Sequence, residues 1–225
     1  MPGTWRDTGG AVLGEDEQRA PAAVVFDALG LDYEKAFASS EAHRASLRWL
    51  LDRLEPGSRV LDVGSGTGRP TAQTLAEAGH SVLGVDVSPV MVDIAARQVP
   101  GAEFRLADIR ELPLAEGSFD AVCGYFSLLQ MSRAEQSAVV GRMARALRPG
   151  GLAALATVPL DVEAFEAVFM GHPVRVTSFA ADDFTRLVTG AGLTVLSEEH
   201  AAFSPAHPDA VPEPHLFLHC RRDED

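Results

Sequence analysis

The chain has 225 residues, 46% of them hydrophobic, and a formal charge of −13. That is enough apolar content for one well-buried domain and too little length for two of ordinary size. The negative charge repels polyphosphate and excludes the electrostatic footprint that DNA, RNA or an anionic membrane surface requires.

Residues 1–18 are polar, glycine-rich and acidic, which predicts a loose arm. They hold no apolar core of signal-peptide length, and no stretch of the chain approaches a membrane span, so the expected compartment is the cytoplasm. Residues 22–29 and 33–38 read as short helices. Residues 41–54 form a stronger one, with Leu47, Leu50, Leu51 and Leu54 as a stripe at helical spacing. Lys35 is the only lysine and lies in one of these peripheral helices, which argues against a Schiff-base enzyme; no Walker string exists to cradle ATP.

The string VLDVGSGTGRP at 60–70 ends an apolar strand in a glycine turn. Gly64, Gly66 and Gly68 carry no Cβ, so backbone can lie against a ligand there, and Pro70 suits a helix start. A dinucleotide fingerprint wants glycine where Arg69 stands. A second strand, HSVLGVDV at 80–87, places Asp86 in its last turn, where a strand-end acid takes ribose hydroxyls. Ser88 and Pro89 already supply the cap and first-turn residue of the helix 90–97, leaving Asp86 spare. A third strand, 102–106, leads to Asp108 and Ile109, and a fourth, FDAVCG, spans 119–124. Then come a helix at 133–147, the turn RPGG at 148–151, a fifth strand at 152–158, a helix at 181–191 and strands at 193–199 and 215–221. The strand and helix signals alternate, which predicts a parallel sheet with helices on both faces and a site at the strands' carboxyl ends. Between the last two strands, AAFSPAHPDAVPEP reads as an exposed loop. Cys123 and Cys220 fall in different elements and are expected as free thiols.

The acid before Gly64, the three glycines, Asp86, the Asp108–Ile109 pair and the LRPGG string together resemble the class I S-adenosylmethionine-dependent methyltransferases. The resemblance runs from about residue 60 to 158. It implies a Rossmann-like α/β fold, with a central seven-stranded, mostly parallel sheet and an N-terminal helical cap. The expected organisation is a cap at 20–56, a cofactor core at 58–158, a lid at 159–179 and C-terminal elements at 180–225. The implied cofactor is S-adenosylmethionine, leaving as S-adenosylhomocysteine. Its binding residues would be Tyr33, Asp62, Gly64, Ser65, Gly66, Gly68, Arg69, Asp86, Val87, Met91, Asp108, Ile109, Gly124 and Phe126. The acceptor would be a small organic molecule, plausibly an intermediate of specialised metabolism, with oxygen, nitrogen and carbon all open as the methylated atom. Monomer and homodimer both stay open.

Catalysis by alignment needs no dedicated residue, but a hydroxyl acceptor must lose a proton. Many small-molecule relatives carry a histidine just past strand four, whereas this chain has Gln130, with Tyr125 and Phe126 expected to shape the methyl-transfer end. The candidate base is His172 on the lid. No metal is expected: His215 and His219 lie about 13 Å apart along one strand, too far to share an ion. Asp161, Glu163 and Glu166 read as a solvated helix face. The Asn/Asp-Pro-Pro-Tyr string of DNA-base methyltransferases is missing. A methyltransferase-fold protein that performs cyclisation, or only binds, stays as the alternative.

Overall fold

A computed structural model describes residues 20–208 and 210–224; the expected arm at 1–18 lies outside them. Three helices come first: α1 (Pro21–Leu29), α2 (Leu31–Phe37) and α3 (Glu41–Leu51). Pro21 sits in the first turn of α1, where its missing N–H costs nothing. The Ser40 hydroxyl accepts from the His43 N–H and starts α3.

The sheet has seven strands, in the order β3 (Glu103–Leu106), β2 (Ser81–Asp86), β1 (Arg59–Val63), β4 (Phe119–Tyr125), β5 (Leu147–Thr157), β9 (Glu213–Arg222) and β8 (Leu193–Phe203). Its first five strands pair in parallel, and β9 runs antiparallel to both neighbours. The intervening helices are α4 (Thr71–Glu77), α5 (Pro89–Gln98), α6 (Arg133–Ala146) and α7 (Ala181–Gly190). Side chains alternate across β1. Leu61 packs with Val122, Val140, Met143, Leu155 and Phe184 on one face, and Val60 packs with Leu47, Leu50, Leu75 and Phe217 on the other. Each large aliphatic group so buried contributes about 1.5–3 kcal/mol, which is why the central strands read as continuous apolar runs.

Two strands extend past their sequence signals. β5 begins at Leu147, because Leu147 pairs with Phe119 across an irregularity before the ladder resumes at Leu152. β8 continues to Phe203 because it is an edge strand whose outer side chains face water, so polar Glu199 and His200 do not end it.

The segment expected as a lid is a β-hairpin, β6 (Val162–Phe169) with β7 (His172–Ser178), a two-stranded sheet separate from the main one. The acidic edge is therefore not a helix face. Asp161 pairs with Arg133 and Glu166 faces Arg175 across the hairpin at 3.5 Å, an antiparallel cross-strand pairing. Met170 and Val174 pack against Val25, Leu29 and Ala36 of the leading helices. The hairpin's base is tied to α6 by Gln136, which is buried and donates to the carbonyls of Met131 (3.1 Å) and Thr177 (2.8 Å).

Replacing Gln136 by Leu keeps the volume but leaves buried carbonyls without a donor. The expected loss is about 1–3 kcal/mol of unfolding free energy, read from the urea midpoint at unchanged slope.

Candidate active site

At the carboxyl end of β1 the chain turns back under β2: the N–H groups of Gly64 and Ser65 donate to the Val85 carbonyl at 2.8 and 3.1 Å. Gly64, at φ 69°, has no alternative, because a Cβ there would lie 2.3 Å from the Ser127 Cβ. Over Gly66 (φ 52°) a Cβ would meet nothing within 4 Å, so the space above it belongs to the cleft. Asp86 locks this turn. Its Oδ2 accepts from the Gly66 N–H and its Oδ1 from the Ser88 N–H, both at 2.9 Å. The expectation that Asp86 is spare is corrected accordingly: Ser88 does cap α5, accepting from the Met91 N–H, yet Asp86 is engaged as well. Burial raises the Asp86 carboxyl above its ordinary range, against the pull of the backbone donors.

Two cavities adjoin this turn and a third lies beside them, and Tyr33 and Phe126 line all three. The first, about 100 Å³, is bounded by Gly64, Gly66, Asp86, Val87, Met91, Asp108, Ile109, Tyr125 and Gln130. The second, about 240 Å³, runs along Asp62, Gly64 to Thr67, Arg69, His43, Thr71 and His215. The third, about 320 Å³, is apolar and reaches from Phe26, Phe37 and Phe126 to Phe169, Met170 and Val174 of the hairpin.

The second cavity concentrates unsatisfied polar atoms. Asp62 is 2% exposed, and its Oδ2 has no partner; the hydroxyls of Ser65 and Thr67 are also buried and unpartnered, as is that of Ser127, which lines the first and third cavities. Such groups are rare in native proteins and mark a place for a bound molecule. Burial, with a smaller contribution from Asp86, lifts the Asp62 carboxyl to about 7. Burial likewise pushes the Tyr33 phenol above its ordinary range, helped by the charges of Glu213 and Asp86, so it stays a hydrogen-bond donor.

Tyr125 is held from behind. Its hydroxyl lies 2.9 Å from Ser46 Oγ, which meets His219 Nε2 at 2.8 Å, while His219 Nδ1 meets Ser197 Oγ at 2.8 Å. Trp49 stacks on His219 at 4.5 Å, and His43 packs on Tyr125 at 4.1 Å with its Nε2 on Thr71 Oγ1. Burial takes His43 down to about 3 and His219 to about 4, so both are neutral rings. Phe126 follows at φ 58°, an unusual conformation for a bulky residue.

Some expected site residues stand elsewhere. Gly68 touches none of the three cavities; a Cβ there would press on Phe104, Val99 and Ala95, so it serves helix-to-sheet packing. Gly124 is in the core, where a Cβ would lie 2.8 Å from the Met143 Cε. His172 pairs with Phe169 at the hairpin tip and lines none of the cavities. Asp108 lines the first cavity, but Arg110 grips its carboxylate through Nε and Nη2, and the Arg110 N–H closes an Asx turn on it. Among the described residues no group of three or more His, Cys, Asp or Glu side chains is placed to hold a metal, and no helix is long and apolar enough to cross a membrane. Sequence reasoning missed His43, Ser127, Glu213 and His215. The spacing of Glu213 and His215, two apart on one strand, is the signal that was there to find.

The methyltransferase-domain family model matches residues 60–151. Methyltransferase GfsG of Streptomyces halstedii is 36% identical over 70% of this chain and 61% of its own length. The uncharacterized methyltransferase sll0829 of Synechocystis sp. is 32% identical over 64% of this chain and 70% of its own. In fold, the chain is similar to the 1,6-didemethyltoxoflavin N1-methyltransferase of Burkholderia thailandensis, solved with its acceptor and S-adenosylhomocysteine. That structure has a TM-score of 0.69 at 22% identity, over 96% of this chain and 93% of that one. The chain belongs to the class I S-adenosylmethionine-dependent methyltransferases. Its cofactor is S-adenosylmethionine, and the buried, unpartnered Asp62 Oδ2, the open space over Gly66 and the strand-end Asp86 give the cleft the room and the acceptors that such a molecule needs.

Because folded Asp62 keeps its proton up to about pH 7 and an unfolded aspartate gives it up near 3.8, this group makes stability fall as pH rises from about 4 to about 7 and then level off. Asp62→Asn has no such ionisation. Its unfolding free energy, measured in urea at several pH values, should gain on the wild type across that window and run parallel above it.

Proposed function

We propose that this protein transfers a methyl group from S-adenosylmethionine to a small, mainly apolar acceptor seated in the 320 Å³ cavity. The observation that carries the reading is the junction: a polar cleft beside the glycine turn and an apolar cavity under the hairpin meet at Tyr33 and Phe126. S-Adenosylmethionine, when bound, supplies an electrophilic sulfonium methyl. In this reading Asp62 holds the cofactor's amino group, Asp86 its ribose, and Val87, Met91 and Ile109 flank the adenine, with Asp108 reaching its edge alongside Arg110. Ser65, Gly66 and Arg69 line the methionine end. Tyr125, Phe126 and Gln130 shape the wall at which the acceptor arrives.

Rate enhancement then rests on alignment and exclusion of water, for which near-attack geometry supplies about 7–11 kcal/mol. His172, away from the cavities, has no part in the proton's path. Curated relatives include an O-methyltransferase of Pyrenophora dematioidea, 31% identical over 65% of this chain and 59% of its own length, which supports a hydroxyl acceptor. The hairpin, β6 with β7, serves as the cover over that acceptor.

Calorimetry with S-adenosylhomocysteine tests the cofactor end. Asp86→Ala should weaken binding more than Asp108→Ala, because it removes a ribose partner and also releases the Gly66 and Ser88 N–H groups, whereas Asp108 already spends its charge on Arg110. Equal affinity in wild type and Asp86→Ala refutes the ribose role. Release of S-adenosylhomocysteine with hydroxylated or aminated aromatic acceptors tests the transfer itself, and His172→Ala should leave that rate within about twofold. Cofactor binding with no release across such a panel favours the alternative, cyclisation or binding in the same cavity.

A further inference from the structure

The third cavity is lined by aromatic and aliphatic side chains, with Tyr33, Ser127 and Gln130 as its neutral polar groups. Among the described lining residues, Glu213 alone carries a charge. No lysine, arginine or histidine is among those described residues to meet an anion. Glu213 opens β9, directly after the proline-rich loop, and its side chain is 22% exposed. Behind it, His215 is 1% exposed, and its Nε2 lies 2.8 Å from Glu213 Oε1. A carboxylate only accepts hydrogen bonds, so Nε2 carries the proton. Phe126 at 4.4 Å and Phe203 at 5.4 Å hold the imidazole ring, and its Nδ1 is buried with no partner. The ring gives up one hydrogen bond and spends the other on Glu213. One carboxylate oxygen is thus fixed, leaving acceptor sites on the other.

We infer that Glu213, held in place by His215, is the polar anchor of the acceptor cavity and selects an aromatic acceptor presenting a hydrogen-bond donor, neutral or cationic, over one presenting a carboxylate. This rests on reading the third cavity as the acceptor site. In a cavity this apolar, a donor placed on a carboxylate makes a charge-assisted bond, while a second carboxylate meets repulsion that water screens poorly. The field of Glu213 already reaches Tyr33, whose phenol it helps to keep protonated, so the charge acts on the place where the cavities meet.

The test uses the full chain saturated with S-adenosylhomocysteine and three calorimetric probes of one shape: 2-naphthol, 2-naphthylmethylammonium and 2-naphthoate. The wild type should bind the first two at least about tenfold more tightly than the third. Glu213→Gln still accepts from His215, so it should keep 2-naphthol within a few-fold and lose about tenfold or more on the ammonium. Glu213→Leu should lose the preference for 2-naphthol altogether. Glu213 lines neither of the other two cavities, so S-adenosylhomocysteine affinity should be the same in all three proteins and reports that each is folded. Equal affinities for the three probes in the wild type, no binding of 2-naphthol, or an unchanged ranking in both variants overturns the inference while leaving the methyltransferase reading intact. A wild type that binds no S-adenosylhomocysteine overturns that reading and this inference with it.

Discussion

The Asp86 carboxylate bridges Gly66 and Ser88, and the geometry of the cleft depends on that bridge. One oxygen fixes the glycine turn after β1 and the other fixes the entry to α5, so a single side chain sets the distance between two walls of the cleft. The arrangement extends outward. Ser88 Oγ donates to Asp27 of α1 at 2.5 Å, which ties the leading helices to the same point. The carboxylate is buried, so each of these bonds is strong and costly to leave unmade.

The sequence made the framework legible because its signals are local. A buried strand ending in DVGSGTG, a strand ending in Asp86 and a Ser-Pro helix start each state their own backbone geometry within ten residues. The parallel part of the sheet, β1 to β5, then follows from alternation and from the handedness of parallel crossovers. Gly68 and Gly124 show the limit of the same signal. A glycine announces close approach but not of what, and here the approaching atoms are Phe104, Val99 and Met143 rather than a ligand.

The apolar cavity was less legible, for a physical reason. Its walls come from α1, α2, the segment after β4, the hairpin and the start of β9, brought together only by tertiary packing. His43 looks like a surface residue of an amphipathic helix until Tyr125 and Thr71 close on it. The hairpin was read as a helical edge because Asp161, Glu163 and Glu166 fit a helical spacing as well as an exposed strand. His172 stood out as a titratable group in a segment expected to cover the site, yet its place at the tip carries it past the cavity.

The unequal fastening of that hairpin bears on how the cavity accommodates molecules of different bulk. At its base Thr177 makes two directional backbone bonds, its carbonyl accepting from Gln136 and its N–H donating to the Leu129 carbonyl, and these admit little displacement. Toward the tip, Met170 and Val174 touch Val25, Leu29 and Ala36 through apolar surface alone, and such contacts have no preferred direction and slide at small cost. The cavity thus has one stiff wall, formed by the segment after β4 and the start of β9, and one compliant wall. Under the proposed reading, an acceptor would be gauged strictly on the side facing Phe126 and Glu213 and leniently on the side facing Phe169, its reactive end held to shape and its remote end free to vary.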